Sequence, residues 1–197
     1  MHCEACVLSK YHQTSYKVKA YSPLKPFYLI HSVWGPPKIH NLNGKKWFVS
    51  FIDDHTWQCW VYLMKNKSDV EQIFKGFYDF VETQFQIKIN ILKTDNGTEY
   101  FNDYLGTFLK EKGIHHQSTS RDTPRKNSII EHKNRHLLEV VRSLMFSMHI
   151  PKYLWGEGIL TSCYLINRMS SHILKYDTPL QCCENYSLQI SWPQNYP

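Results

Sequence analysis

Three short apolar runs open the patterned part of the chain. Phe27 to Val33 is broken by Gly35-Pro36-Pro37, Trp47 to Ile52 mixes aromatic and β-branched residues, and Thr56 to Met64 follows Asp53-Asp54. Runs of this kind, joined by tight connections, predict an antiparallel meander of three strands. The period then changes. Ser68 with Glu71 three residues later has the form of a capping box. Val70, Ile73, Phe74, Phe77, Val81 and Phe85 follow at helical spacing and predict an amphipathic helix with a buried stripe. Its aromatic residues are read as core, not as platforms for stacking bases. Ile89 to Thr94 predicts a fourth strand, Asn102 to Lys112 a helix stopped by Gly113, and Ile114 to Ser118 a fifth strand. A polar loop through Pro124 leads into a long helix on which Ile130, Asn134, Leu137, Leu138, Val141, Leu144 and Met145 share a face. Pro151 opens a final helix through Trp155, Tyr164 and Ile166.

The pattern divides the chain into a polar tail or linker (1–26), a domain (27–170) and an irregular C-terminal extension (171–197) interrupted by Pro179, Pro193 and Pro197. Three antiparallel strands followed by strands alternating with helices give an α/β fold, a mixed five-stranded sheet flanked by helices. That order is similar to the RNase H-like architecture, which by itself carries no function.

Composition narrows the class. Aromatic residues make up 15% of the 197 positions and are spread along the whole length, which argues against a disordered chain. The formal charge of +6 and sequence pI of about 8.9 suit a polyanionic partner, although a mildly basic surface without one explains them equally well. Six cysteines are too few for a disulfide-built scaffold of this size. With no leader-like N-terminus and no apolar run of membrane-spanning length, the expectation is a reduced, intracellular protein with no membrane partner.

Two acidic residues occupy suggestive places. Asp95 stands at a predicted strand end, within Thr94-Asp95-Asn96-Gly97, where ligands gather in open α/β sheets. A turn-capping Asp is the simpler local reading. Glu131 lies at the start of the long helix, where an acid also stabilises the helix dipole. The pair is more specific than either member, because thirty-five residues separate a strand-end Asp from a helix-start Glu. Cys3 and Cys6 form half of a zinc motif, with His2 and His12 badly spaced to complete it, so two unpaired thiols are the simpler reading. Lys133, Arg135 and Arg142 are placed on or near the polar side of the long helix, and Arg121, Arg125 and Lys126 in the loop before it. There they would either neutralise phosphates or form an ordinary solvated face.

Several ordered blocks resemble the integrase core of copia-type retrotransposons, and more broadly retroviral integrases and transposases. They are Cys3-Glu4-Ala5-Cys6, Ile30-His31-Ser32-Val33-Trp34-Gly35-Pro36, Phe48 to Asp54, Thr94 to Tyr100, Thr123-Pro124, Glu131 to Arg135 with Leu137-Leu138-Glu139, Pro151 to Glu157, and Tyr164 to Arg168. The resemblance implies phosphoryl transfer on DNA, Mg²⁺ or Mn²⁺ held by Asp95 and Glu131, DNA as partner, self-association and a nuclear site of action. It implies no zinc in this stretch, since the family's histidines lie upstream of the cysteines. The family carries one further Asp, between the positions matching Ser32 and Val33, and here Ser32 runs straight into Val33. Arg125, Lys126 and Ser128 also replace a Gln-Gln-Asn-Gly-like stretch. The expectation is an impaired polynucleotidyl transferase. The alternative is a non-catalytic nucleic-acid-binding or partner-binding remnant, and a nuclease of the same fold would need a third acid on the first strand. Asp53 or Asp54 could stand in for the missing acid, but a turn role suits that pair better.

Overall fold

The main chain of Phe27 is left-handed (φ 57°), and its N–H donates to the Asp53 carboxylate at 2.8 Å. That anchor fixes where the first strand begins. A computed structural model describes residues 25–35, 40–94, 97, 100, 103–118 and 124–186, with the backbone alone for 124–132. Strand β1 is Leu29–Gly35, β2 is Trp47–Asp53 and β3 is Cys59–Met64, paired antiparallel in the order β3-β2-β1. Strands β4 (Ile91–Thr94) and β5 (His115–Ser118) add in parallel beyond β1, giving the expected mixed sheet of five strands ordered β3-β2-β1-β4-β5.

Several details differ from the sequence reading. Phe27 cannot open a strand in its left-handed conformation. Gly35 belongs to β1 and does not break it, and a Cβ there would lie 2.7 Å from the ring of its register partner Phe48. Residues Asp54 to Thr56 form a turn, so the third strand begins only at Cys59. The predicted Ser68/Glu71 box does not form. A 3-10 turn, Lys67–Asp69, precedes helix α1 (Val70–Phe85), and the Asp69 carboxylate accepts from the N–H groups of Lys65 and Asn66, each at 3.0 Å. Glu71 pairs instead with Lys75.

The sheet has two apolar faces. On one, Val70, Phe74, Phe77, Tyr78, Val81 and Phe85 of α1 meet Ile30, Val49, Phe51 and Leu92, with Phe51 stacked on Phe77 at 4.7 Å. Helix α2 (Asp103–Lys112) joins this face through Leu105 and Leu109 and ends, as expected, at Gly113 with φ +69°. On the other face, α3 (Pro124–Ser147) and α4 (Trp155–Asn167) bring Leu137, Val141, Trp155, Ile159, Cys163 and Ile166 against Phe48, Ile52, Cys59 and Val61. Fully burying each large side chain contributes roughly 1.5–3 kcal/mol.

Two further expectations are corrected. Helix α3 begins at Pro124 itself, a residue suited to a first helical turn, so Arg125 and Lys126 are helical and Glu131 lies two turns inside the helix. The extension is not wholly irregular. Helix α5 (Pro179–Glu184) is capped by Thr178 and Gln181, and its Cys183 is fully buried in the α1-side core.

Candidate metal centre and nucleic-acid face

Strands β1 and β4 run parallel with Leu29 beside Ile91 and Ser32 beside Thr94. Both strands therefore point their C-terminal ends to one rim of the sheet. Side chains alternate along β1. Ile30, Ser32 and Trp34 face the α1 side, where the Ser32 hydroxyl hydrogen-bonds the Tyr100 hydroxyl at 2.6 Å and Trp34 packs edge-on to Trp47. His31 and Val33 face the α3 side, and Val33 packs against the cluster containing Leu137 and Val141 of α3. The residue after Ser32 is thus directed at the helix that carries Glu131, and it is a valine. The β1–β2 ladder is unbroken from Ile30–Asp53 to Gly35–Phe48, with no bulge in it.

Asp95 lies outside the described residues, as do Cys3 and Cys6. Glu131 is on the backbone of α3, with its side chain likewise outside them. Among the described residues, no group of three or more His, Cys, Asp or Glu could hold a metal ion.

The neighbouring acids have other partners. One Asp53 oxygen accepts from Phe27 N–H, and the other accepts from the Thr56 N–H and hydroxyl at 2.9 and 2.8 Å. Burial pushes this carboxyl above its ordinary range despite those hydrogen bonds. It is a turn-fixing group, as its place in Asp53-Asp54 suggested. Asp54 pairs with the buried His31 at 2.9 Å, while its second oxygen has no hydrogen-bond partner among the described residues.

The basic residues divide. Arg135 and Arg142 are exposed on α3, as expected. Arg125 and Lys126 sit in the first turn of α3, with side chains outside the described residues. Lys133 contradicts the polar-face expectation, being only 8% exposed. Its ammonium lies 5.4 Å from the Trp57 ring centroid, and burial lowers its pKa to about 8 although Cys59, Cys163 and Asp53 oppose that shift. The error came from treating charge as a marker of solvent, when the Lys133 stem packs inward one turn before Leu137.

Another residue with a clear structural task escaped the sequence reading. Asn167 accepts from Cys59 N–H at 3.0 Å and donates to the Cys59 carbonyl at 2.7 Å, so a side chain supplies edge strand β3 with both halves of a backbone pairing. The Tyr164 to Arg168 block marked its position but not its role.

Among the described residues, no helix is long and apolar enough to cross a membrane. Residues 25–124 match the family model described as integrase core domain. The Pol polyprotein of transposon TNT 1-94 from Nicotiana tabacum, described as retrovirus-related, is 36% identical over 190 residues, covering 96% of this chain and 14% of the polyprotein. The chain thus spans about one seventh of that relative. Two solved structures share the fold. The HTLV-2 integrase catalytic core domain, in complex with magnesium in a trimeric form, has a TM-score of 0.59 at 15% identity over 81% of this chain and 97% of its own. A simian T-cell lymphotropic virus intasome, in complex with a PP2A regulatory subunit, has a TM-score of 0.69 at 14% identity over 99% of this chain and 65% of its own. The fold is therefore that of integrase catalytic cores, RNase H-like, and this chain belongs to the integrase core domain family.

Proposed function

We propose that this chain is an integrase-type polynucleotidyl transferase core acting in DNA integration, impaired because its first strand brings no carboxylate to the metal centre. Asp95 and Glu131 are the residues that would hold Mg²⁺ or Mn²⁺. Carboxylates suit these hard cations, and two of them make a partial donor set. When bound, such ions activate a hydroxyl nucleophile and stabilise the leaving oxygen of an in-line displacement. The exposed Arg135, with Arg125 and Lys126 in the first turn of α3, would position DNA through its phosphates.

One observation carries the impairment. Val33, the residue after Ser32, faces α3 and packs among apolar side chains. An oxygen ligand is needed at that step, and valine has none. The same observation favours the second reading, a remnant that binds DNA or a partner without chemistry. DNA and further copies of the chain are the proposed partners, with a nuclear site of action. The zinc half-motif Cys3/Cys6 is proposed to carry no metal.

A strand-transfer assay with labelled donor ends in Mg²⁺ and in Mn²⁺ tests this reading. Joining at background level is expected, together with salt-sensitive DNA binding that weakens when Arg135 is replaced by Ala. Robust joining overturns the impairment. DNA binding indifferent to salt and to Arg135 overturns the nucleic-acid reading.

A further inference from the structure

Between the β2–β3 turn, the middle of α3 and the chain following α4 lies a cavity of about 550 Å³, lined in part by Trp57, Lys133, His136, Ile166, Ser171 and Ile173. That volume lies within the range of small-molecule sites, which are mostly apolar with a few placed polar groups. Trp57, Ile166 and Ile173 supply apolar wall, Ser170, Ser171, His136 and His172 add polar groups, and no acid among the described residues lines the space.

The charged feature among the described lining is the Lys133 ammonium. Its residue is only 8% exposed, yet it lines the cavity. It lies over the face of Trp57, and no ion pair or hydrogen bond to the described residues uses its three donors. Asp53 is a nearby carboxylate among the described residues, but its hydrogen-bond partners are Phe27 and Thr56 and it makes no ion pair with Lys133. Its nitrogen is not among the fully buried atoms that lack a partner, so it opens onto the cavity, where something must supply an acceptor. An anion entering the cavity would do so.

We propose that this cavity binds a small organic anion, with its carboxylate or phosphate on Lys133 and an apolar, preferably aromatic, body against Trp57 and Ile166. The site is independent of the proposed reaction, although it shares helix α3 with Glu131.

Titration calorimetry on the full chain tests it with three probes of similar body: phenylacetate, benzyl phosphate and the neutral 2-phenylethanol. Both anions are expected to bind at least about tenfold more tightly than the alcohol, since one paired buried charge is worth more than 1.4 kcal/mol. The tighter of the two identifies the headgroup class. Lys133→Met, close in volume, is expected to abolish the preference while leaving weak binding of all three. His136→Glu, on the exposed rim, provides a second variant should the first fail to fold. It is expected to weaken both anions severalfold and to leave the alcohol unchanged. Equal affinity for anions and alcohol, an anion preference that survives Lys133→Met, anion binding unchanged by His136→Glu, or no binding at millimolar concentration overturns the proposal. Because the readout is binding and not DNA joining, its failure leaves the proposed function standing.

Discussion

Ser32 and Thr94 are partners in the parallel pairing of β1 with β4, and the residues that follow them in the chain are Val33 and Asp95. The proposed metal centre is thus short of an oxygen on the β1 side of that pairing. Inserting an Asp between Ser32 and Val33 is expected to raise metal-dependent DNA joining about tenfold or more over the parent chain. Val33→Asp places an acid at the same step without lengthening the strand and is expected to strengthen Mg²⁺ binding. Calorimetric Mg²⁺ titrations and joining assays that leave both variants at the parent's level would reject the carboxylate deficit as the cause of impairment.

The Ser32–Tyr100 contact ties the segment after β4 back to β1. Tyr100→Phe leaves a buried serine hydroxyl without this partner, and the expected loss is about 1–2 kcal/mol of unfolding free energy. A urea double-mutant cycle with Ser32→Ala should show coupling of about 0.5–1.5 kcal/mol. Additive effects would mean that the short distance carries no energy.

Asn167 holds the edge strand by pairing with both backbone groups of Cys59. Asn167→Ala is expected to cost about 2 kcal/mol, from two lost hydrogen bonds, and to speed hydrogen exchange at the Cys59 amide. Unchanged protection there would show that the edge is held by other contacts.

Burial, with neighbouring His115, holds the pKa of His116 below the ordinary 6.5, and its ring hydrogen-bonds the Thr94 hydroxyl at 2.9 Å. The fold thus favours the neutral ring. That stabilisation is fully present above about pH 6.5 and is lost as the pH falls through the lower folded-state value. Thermal melts from pH 8 to pH 5 should therefore show the wild type losing more stability than His116→Gln. Parallel curves would contradict this.

The sheet and both long helices were legible because their signals are local: the Val70–Phe85 stripe repeats every three to four residues, and Gly113 ends its helix by backbone conformation. The Leu29 start was not legible, since it depends on the Asp53 carboxylate twenty-six positions from Phe27. Likewise, nothing local distinguishes Lys133, which packs inward, from Arg135, which does not. In the candidate site the family resemblance implied an Asp between Ser32 and Val33 that this sequence does not have. Only the pairing showed that Val33 faces α3 and that Trp34 turns towards Trp47 and Lys67 on the other side.

The unbroken β1–β2 ladder has a practical consequence. Every rung from Ile30–Asp53 to Gly35–Phe48 is satisfied with Val33 in place, so the proposed want of a carboxylate there would cost the strand nothing in pairing. Melting curves, circular dichroism and protease resistance would report this chain as sound. The proposed carboxylate deficit would therefore escape any screen by expression and folding, and only a chemical readout would reveal it.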